Sequence, residues 1–218
     1  MEILNYCPPM SPYLDIVFYD DDILVLNKPS GLLSVPGKGK GHADCLHSRI
    51  QRVFPTATVV HRLDMATSGL MVMALNKPAH RHISKQFELR ETAKTYQAIV
   101  FDRVQQDSGE INLPLICDWP NRPKQMVDHE HGKKALTHWR VLERNTNTTR
   151  LELKPVTGRS HQLRVHMLSM HHPIIGDTLY AQGEALEIAS RLNLHAMFLS
   201  FRHPVTEQTL CFESQVPF

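Results

Sequence analysis

The sequence contains no CxxC pair, no HExxH, no GxGxxG following a strand, no GxxxxGK[ST] and no GxSxG. Each absence removes a chemistry. Without paired cysteines or a histidine helix motif there is no zinc-site spacing, although histidine itself is plentiful at 14 residues. Without the glycine fingerprints there is no support for dinucleotide redox chemistry or P-loop nucleotide hydrolysis, and without a nucleophile elbow none for a serine hydrolase. No apolar run reaches the length of a membrane span, and MEILNYCPPM is not a basic start followed by an apolar block. The four cysteines, at 7, 45, 117 and 211, are far apart, which fits reduced thiols in a cytoplasm. The formal net charge is only +2, so overall charge argues weakly for a nucleic-acid partner.

The chain that remains is an ordinary globular one, with 218 residues, 42% hydrophobic and 21% charged. That length suffices for one sizeable core or two small ones. Residues 1–13, rich in proline, are expected to form a loose arm. LDIVFYDDDILVLNKPSG reads as two strands separated by an acidic turn, and GKGKGHAD as a basic loop. From Asp44 a short helix is expected, with Leu46, Ile50 and Val53 on one face and Pro55 beyond its end. VV and LMVMAL are strands on either side of HRLDMATSG. Asn76 is positioned to cap a helix whose apolar stripe is Ala79, Ile83 and Phe87. KTYQAIVF, ALTHWRVLE, RLELKPV, LHAMFLSFRHP and QTLCFE read as further strands, and GRSHQLRVHMLSM and EALEIASRL as helices. Strands and helices mix without a βαβ rhythm, so the expected fold is α+β, built on a mixed sheet. One domain over 14–218 is the default, and a long sheet bent into two lobes is the variant.

Basic residues cluster between 121 and 164, where NRPK and HGKK read as exposed loops suited to a phosphate backbone or simply as a solvated surface. Trp119, beside NRPK, is open to two readings: a stacking partner for a base, or core.

Three segments, VHRLDMATSGLMVMA, KTYQAIV and PVTGRSHQLRVHMLSMHHPIIGD, taken with NKPSGLLSVPG and the later LHA, resemble the RluA family of pseudouridine synthases in order and spacing over essentially the whole chain. The resemblance implies a fold with a central mixed, mainly antiparallel β-sheet flanked by helices and loops around an RNA-binding cleft. It implies an isomerase that needs neither metal nor organic cofactor. Asp64 takes the place of the family's essential aspartate, Tyr96 that of its active-site tyrosine, and Arg164 that of the arginine paired with the aspartate. Arg62 matches the residue that fills the space left by a flipped nucleotide. Lys28, and less securely Lys124 and Arg159, match basic residues of the cleft, and His61 neighbours the same phosphates. Leu163 and Leu194 are expected to pack beside the site.

The expected partners are 23S ribosomal RNA, at uridine 746, and transfer RNA, at uridine 32 of the anticodon loop. No membrane and no obligate protein partner is expected, and the chain is expected to act as a monomer. Many relatives carry an S4-type RNA-binding domain, and none is expected ahead of the first strand here. A sister synthase for another uridine, and a non-catalytic RNA-binding protein, are the competing readings. The second gives HRLD, Tyr96 and Arg164 no reason to occur together.

Overall fold

The computed structural model describes residues 6–218. They form two compact units. An N-terminal unit runs up to Lys94 and takes in Ala196–Pro217, and a central unit comprises Thr95–His195 with Phe218. The fold is α+β, and its sheet is mainly antiparallel.

In the N-terminal unit, β1 (Ile16–Tyr19), β2 (Ile23–Lys28) and β4 (Ser68–Ala74) are neighbours in that order, and β3 (Thr58–Val59) also pairs with β4. Every residue of β4 is buried, which is why SGLMVMA reads as a continuous apolar run rather than an alternating one. Odd positions of β2, Ile23 and Val25, join Leu70, Val72, Ala79, Ile83 and Phe201 in one core cluster. That cluster seats α2 (Lys77–Leu89) on one face of the sheet. The helix begins as its sequence suggests. Asn76 Oδ1 accepts from the Ala79 amide at 2.9 Å, and Pro78 lies in the first turn. Gln86 fixes its far end, exchanging two 2.8 Å bonds with the backbone of Arg202 in β11 (Leu194–Arg202). β12 (Thr209–Glu213) pairs with β11.

The short helix α1 (Leu46–Gln51) buries Leu46 and Ile50 as expected, but it ends before Val53, which is 59% exposed. The chain turns there instead, with the amides of Val53 and Phe54 both bonding to Ile50 O ahead of Pro55. The expected loose arm lies outside the described residues at 1–5, and from Tyr6 onward it is tied down. Tyr6 Oη donates to Asp44 O at 2.9 Å and accepts from the Leu33 amide at 3.0 Å. Arg49, fully buried, donates to Pro9 O and Tyr13 O, pairs with Asp44 at 2.7 Å and lies 4.6 Å from the Tyr13 ring centre. A buried guanidinium must spend its donors on something, and the arm supplies the carbonyls.

In the central unit, β5 (Ala93–Phe101), β10 (Thr148–Pro155), β9 (Leu136–Arg144) and β6 (Ser108–Asn112) follow one another across the sheet. The residues of β5 before Thr95 belong to the N-terminal unit. A separate hairpin joins β7 (Leu115–Cys117) to β8 (Gln125–Val127). It packs with α3 (Gln162–Ser169) through Leu115, Val127, Ala135, Val165 and Tyr180. The helix expected over EALEIASRL is limited to α4 (Glu184–Glu187). No described helix is long and apolar enough to cross a membrane.

Position 69 admits no side chain. Gly69 has φ 117°, and a Cβ there would lie 2.3 Å from Ala196 O. Gly69→Ala therefore adds both a left-handed penalty and a backbone clash, and we expect a loss of about 2–4 kcal/mol in urea unfolding. An unchanged midpoint would show that the two strands can separate without cost.

Candidate active site

The HRLDMATSG loop bridges β3 and β4, and a second loop, residues 28–34, holds it in place. Ser34 Oγ donates to Leu63 O at 2.7 Å and accepts from the Leu63 amide at 3.2 Å. Ser30 Oγ donates to Ala66 O at 2.7 Å, and the Gly31 amide donates to Met65 O at 2.8 Å. Lys28 completes the cradle, with Nζ reaching Leu32 O at 2.7 Å, Pro29 O at 2.9 Å and Met65 O at 3.0 Å. The carbonyls on both sides of Asp64 are thus engaged, and Asp64 O itself accepts from the Thr67 amide at 3.2 Å.

Lys28 corrects an expectation. Its side chain is fully buried, so it faces no RNA in this structure. Its place in β2, two residues from Leu26 and four from Leu24, turns it onto the buried face of the sheet. A cation there is tolerable because its ammonium protons meet main-chain oxygens.

Along the loop the side chains differ in burial, with His61 and Asp64 half-buried, Arg62 exposed and Leu63 buried. His61 stacks on Phe87 at 4.5 Å between ring centres, and its Nε2 accepts the Val72 amide at 3.1 Å. Leu63 is 7% exposed. Burial, helped by the nearby Lys94 ammonium, pushes His61 down to about 3. The ring is therefore neutral near pH 7, with its proton on Nδ1. It offers an RNA phosphate no charge, and its visible work is to anchor the loop.

The central unit carries the other expected groups. Tyr96 is half-buried in β5, opposite Leu153 of β10. Arg164 lies on α3, a helix buried along most of its length from Gln162 to Met167. A cation in that setting requires a partner, and it has Asp177. Nε bonds to Oδ2 at 2.8 Å and Nη2 to Oδ1 at 2.7 Å, with the residues 4% and 1% exposed. Asp177 Oδ1 also accepts the amides of Leu179 and Tyr180, and the Arg164 guanidinium lies 5.1 Å from the Tyr180 ring centre. This bidentate grip fixes the guanidinium plane. Sequence reasoning gave Arg164 a role toward Asp64 and missed Asp177, although it stands in the quoted PIIGD. A lone acid directly after an apolar run was the available signal, since a buried carboxylate needs a cation.

Gln162 organises the GRSHQ turn before α3. Its Oε1 accepts from Thr157 Oγ1 at 2.7 Å and the Arg159 amide at 3.0 Å, and its Nε2 donates to Leu136 O and Thr137 Oγ1. Arg159 is exposed, with Nε donating to Lys134 O at 3.1 Å. Lys124 is half-buried and lines a groove of about 640 Å³ with Met126, Leu168 and Tyr180. Leu163 and Leu194 are both buried. Among the described residues one group has metal-ligand proximity, Asp20, Asp22 and His203. Its polar atoms are already engaged: Asp20 Oδ1 accepts the amides of Asp22 and Ile23, Oδ2 bonds to His203, and Asp22 accepts from Asn76.

A clamped loop displaying an arginine and a carboxylate two residues apart, in a chain that also holds a strand tyrosine and a buried arginine helix, suits chemistry on a nucleotide. Comparisons with known proteins agree. Residues 22–169 match the family described as RNA pseudouridylate synthase. The chain is 52% identical, over the full length of both, to the dual-specificity RNA pseudouridine synthase RluA of Pasteurella multocida (strain Pm70). It is 56% identical to that of Vibrio vulnificus (strain CMCP6), over 94% of this chain and 84% of the relative. The structure of human RNA Pseudouridylate Synthase Domain Containing 1 superposes with a TM-score of 0.78 at 29% identity, over 94% of this chain and 84% of that one. Fold and motifs therefore define an RNA pseudouridine synthase, an isomerase. Within that class the chain belongs to the RluA family.

Two measurements test the supports of the site. Asp177→Asn removes the carboxylate that grips the buried Arg164 guanidinium along one edge, and we expect a loss of about 3–5 kcal/mol in urea unfolding; a loss below about 1 kcal/mol would mean the pair is not structural. For His61 the folded pKa lies below the unfolded 6.5, so the unfolded chain binds the extra proton. Its contribution is complete above pH 6.5 and is lost as pH falls toward about 3. Between those limits wild type should lose up to about 1.4 kcal/mol per pH unit more than His61→Gln. Parallel pH profiles for the two proteins would refute the burial of a neutral imidazole.

Proposed function

We propose that this enzyme converts uridine 746 of 23S ribosomal RNA and uridine 32 of certain transfer RNA anticodon loops to pseudouridine, with Asp64 as the catalytic carboxylate. The clamped Asp64 loop carries the proposal: a half-buried acid whose flanking carbonyls are all held is preorganised to act on one sugar. The relatives named dual-specificity, similar along their whole length, support the pair of targets. The four cysteines are free thiols, which suits a cytoplasmic enzyme.

The target base must leave the stack to be reached. Arg62, exposed while His61 and Leu63 anchor the backbone on either side, is placed to enter the vacated space. Asp64 then removes the C2′ proton as the bond from C1′ to N1 breaks, leaving a glycal and a uracil anion. The base turns, C5 attacks C1′, and Asp64 returns the proton to C2′. Loss of the C5 proton and protonation of N1 complete an isomerisation with no net change in atoms. Tyr96 stacks on the uracil, and its hydroxyl assists removal of the C5 proton. Arg164, which the family resemblance pairs with the essential aspartate, has the plane of its guanidinium set by Asp177.

Asp64→Asn should bind both RNAs with near wild-type affinity and lose pseudouridine formation by roughly 10³-fold or more. The assay is tritium release from RNA labelled at uridine C5, with carbodiimide mapping of the modified position. Comparable turnover in the variant would remove Asp64 from the chemistry, and wild-type modification at other uridines alone would move the enzyme to a sister specificity.

A further inference from the structure

The geometry points to a second RNA contact: Trp119, backed by Arg122 at the tip of the β7–β8 hairpin, is a stacking platform for an unpaired base of the substrate loop. It rests on the reading of the protein as an enzyme of RNA loops and names a residue that this reading does not use. Sequence left Trp119 open between core and surface. In the structure it is 65% exposed, whereas the other tryptophan, Trp139, is 4% exposed. An indole left in water forgoes much of the burial that makes tryptophan favourable in a fold.

The display is stiff. Asp118 N donates to Lys124 O at 3.0 Å, closing the loop above the Cys117 and Gln125 pair. Inside it, the Asn121 amide donates to Asp118 O at 3.1 Å, the Lys124 amide to Asn121 O at 3.1 Å, and Asn121 Nδ2 to Asp118 Oδ2 at 2.9 Å. At its base the Gln125 amide donates to the hydroxyl of buried Tyr180 at 2.7 Å. Arg122 is held by the ring it covers: its Cζ lies 4.5 Å from the indole centre while Nε donates to Trp119 O at 3.1 Å. The guanidinium therefore occupies one face of the indole and sets its orientation.

A flat, pre-ordered aromatic surface beside a cation suits a nucleobase. The base offers a π-face of matching size, its phosphate meets Arg122 or Lys124, and the Arg122 contact lowers the side-chain entropy lost on binding. Stacking tolerates any base identity, so one platform serves loops of unlike sequence.

The test uses the full chain and a synthetic anticodon stem-loop containing uridine 32. Wild-type tryptophan emission should be quenched in step with binding, and the quench should vanish in Trp119→Phe, which keeps only Trp139. Trp119→Ala should raise the Kd at least about fivefold, and Trp119→Phe less than about twofold, because a phenyl ring still stacks. Replacing loop bases singly by abasic sites should find one position that removes the quench and weakens wild type but not Trp119→Ala. Unchanged emission on binding, with Trp119→Ala within about twofold of wild type, would overturn the platform even if wild type modifies the RNA. Quenching and the affinity loss in a protein that modifies neither target would keep the platform and overturn the proposed specificity instead.

Discussion

The buried ammonium of Lys28 is the constraint around which the Asp64 loop is built. An unsatisfied charge at that depth would be too costly to persist, so the chain must bring oxygens to it. Pro29 and Leu32 supply two from the following turn, and Met65 supplies the third from a loop 37 residues away. Once Met65 O is captured, the residue before it is held as well. Ser30, Gly31 and Ser34 extend the same grip over Leu63 to Ala66. The segment KPSGLLS thus holds the backbone on both sides of Asp64. Gly69, opposite Lys28 in the β2–β4 ladder, lets β11 approach at the point where that loop becomes strand.

Three buried cations show how differently one problem is solved. Lys28 meets carbonyls. Arg49 meets carbonyls, the Asp44 carboxylate and the Tyr13 ring. Arg164 meets Asp177 edge to edge and the face of Tyr180. The guanidinium plane matters in the last case, because a planar fork gripped along one edge has its remaining donor direction set. A lysine at position 164 would supply charge without that orientation.

These cations also mark where sequence reading stops. Most individual strands and the capped helix α2 were legible because period and caps are local: Asn76, Pro78 and the Ala79, Ile83, Phe87 stripe lie within twelve residues. Asp64, Arg62, Tyr96 and Arg164 stand out in the sequence as a motif set only through family resemblance, and that resemblance is silent about their surroundings. A basic residue looks the same in a string whether its head is wet or buried, so Lys28 was read as an RNA ligand and Asp177 was overlooked. The short strands β6, β7 and β8 went unseen because β6 is exposed apart from Ile111, while β7 and β8 have three residues each, too few for a period to show. Trp119 was undecidable for a related reason, since a large aromatic is favoured both in cores and at binding surfaces.

The anchoring of His61 and Leu63 extends these supports along residues 61–64. Arg62 and Asp64 can be steady only if their chain neighbours are fixed, and that is where the fold spends its contacts. His61 is fixed by a ring stack and the Val72 amide, Leu63 by burial and both hydrogen bonds of Ser34. Neutrality at His61 belongs to the same logic. A charged imidazole could not accept the Val72 proton, and desolvation beside Lys94 keeps it uncharged. Arg62 and Asp64 are thus set two residues apart on one stretch of backbone, separated by a single anchored leucine, and their spacing does not depend on how distant segments align.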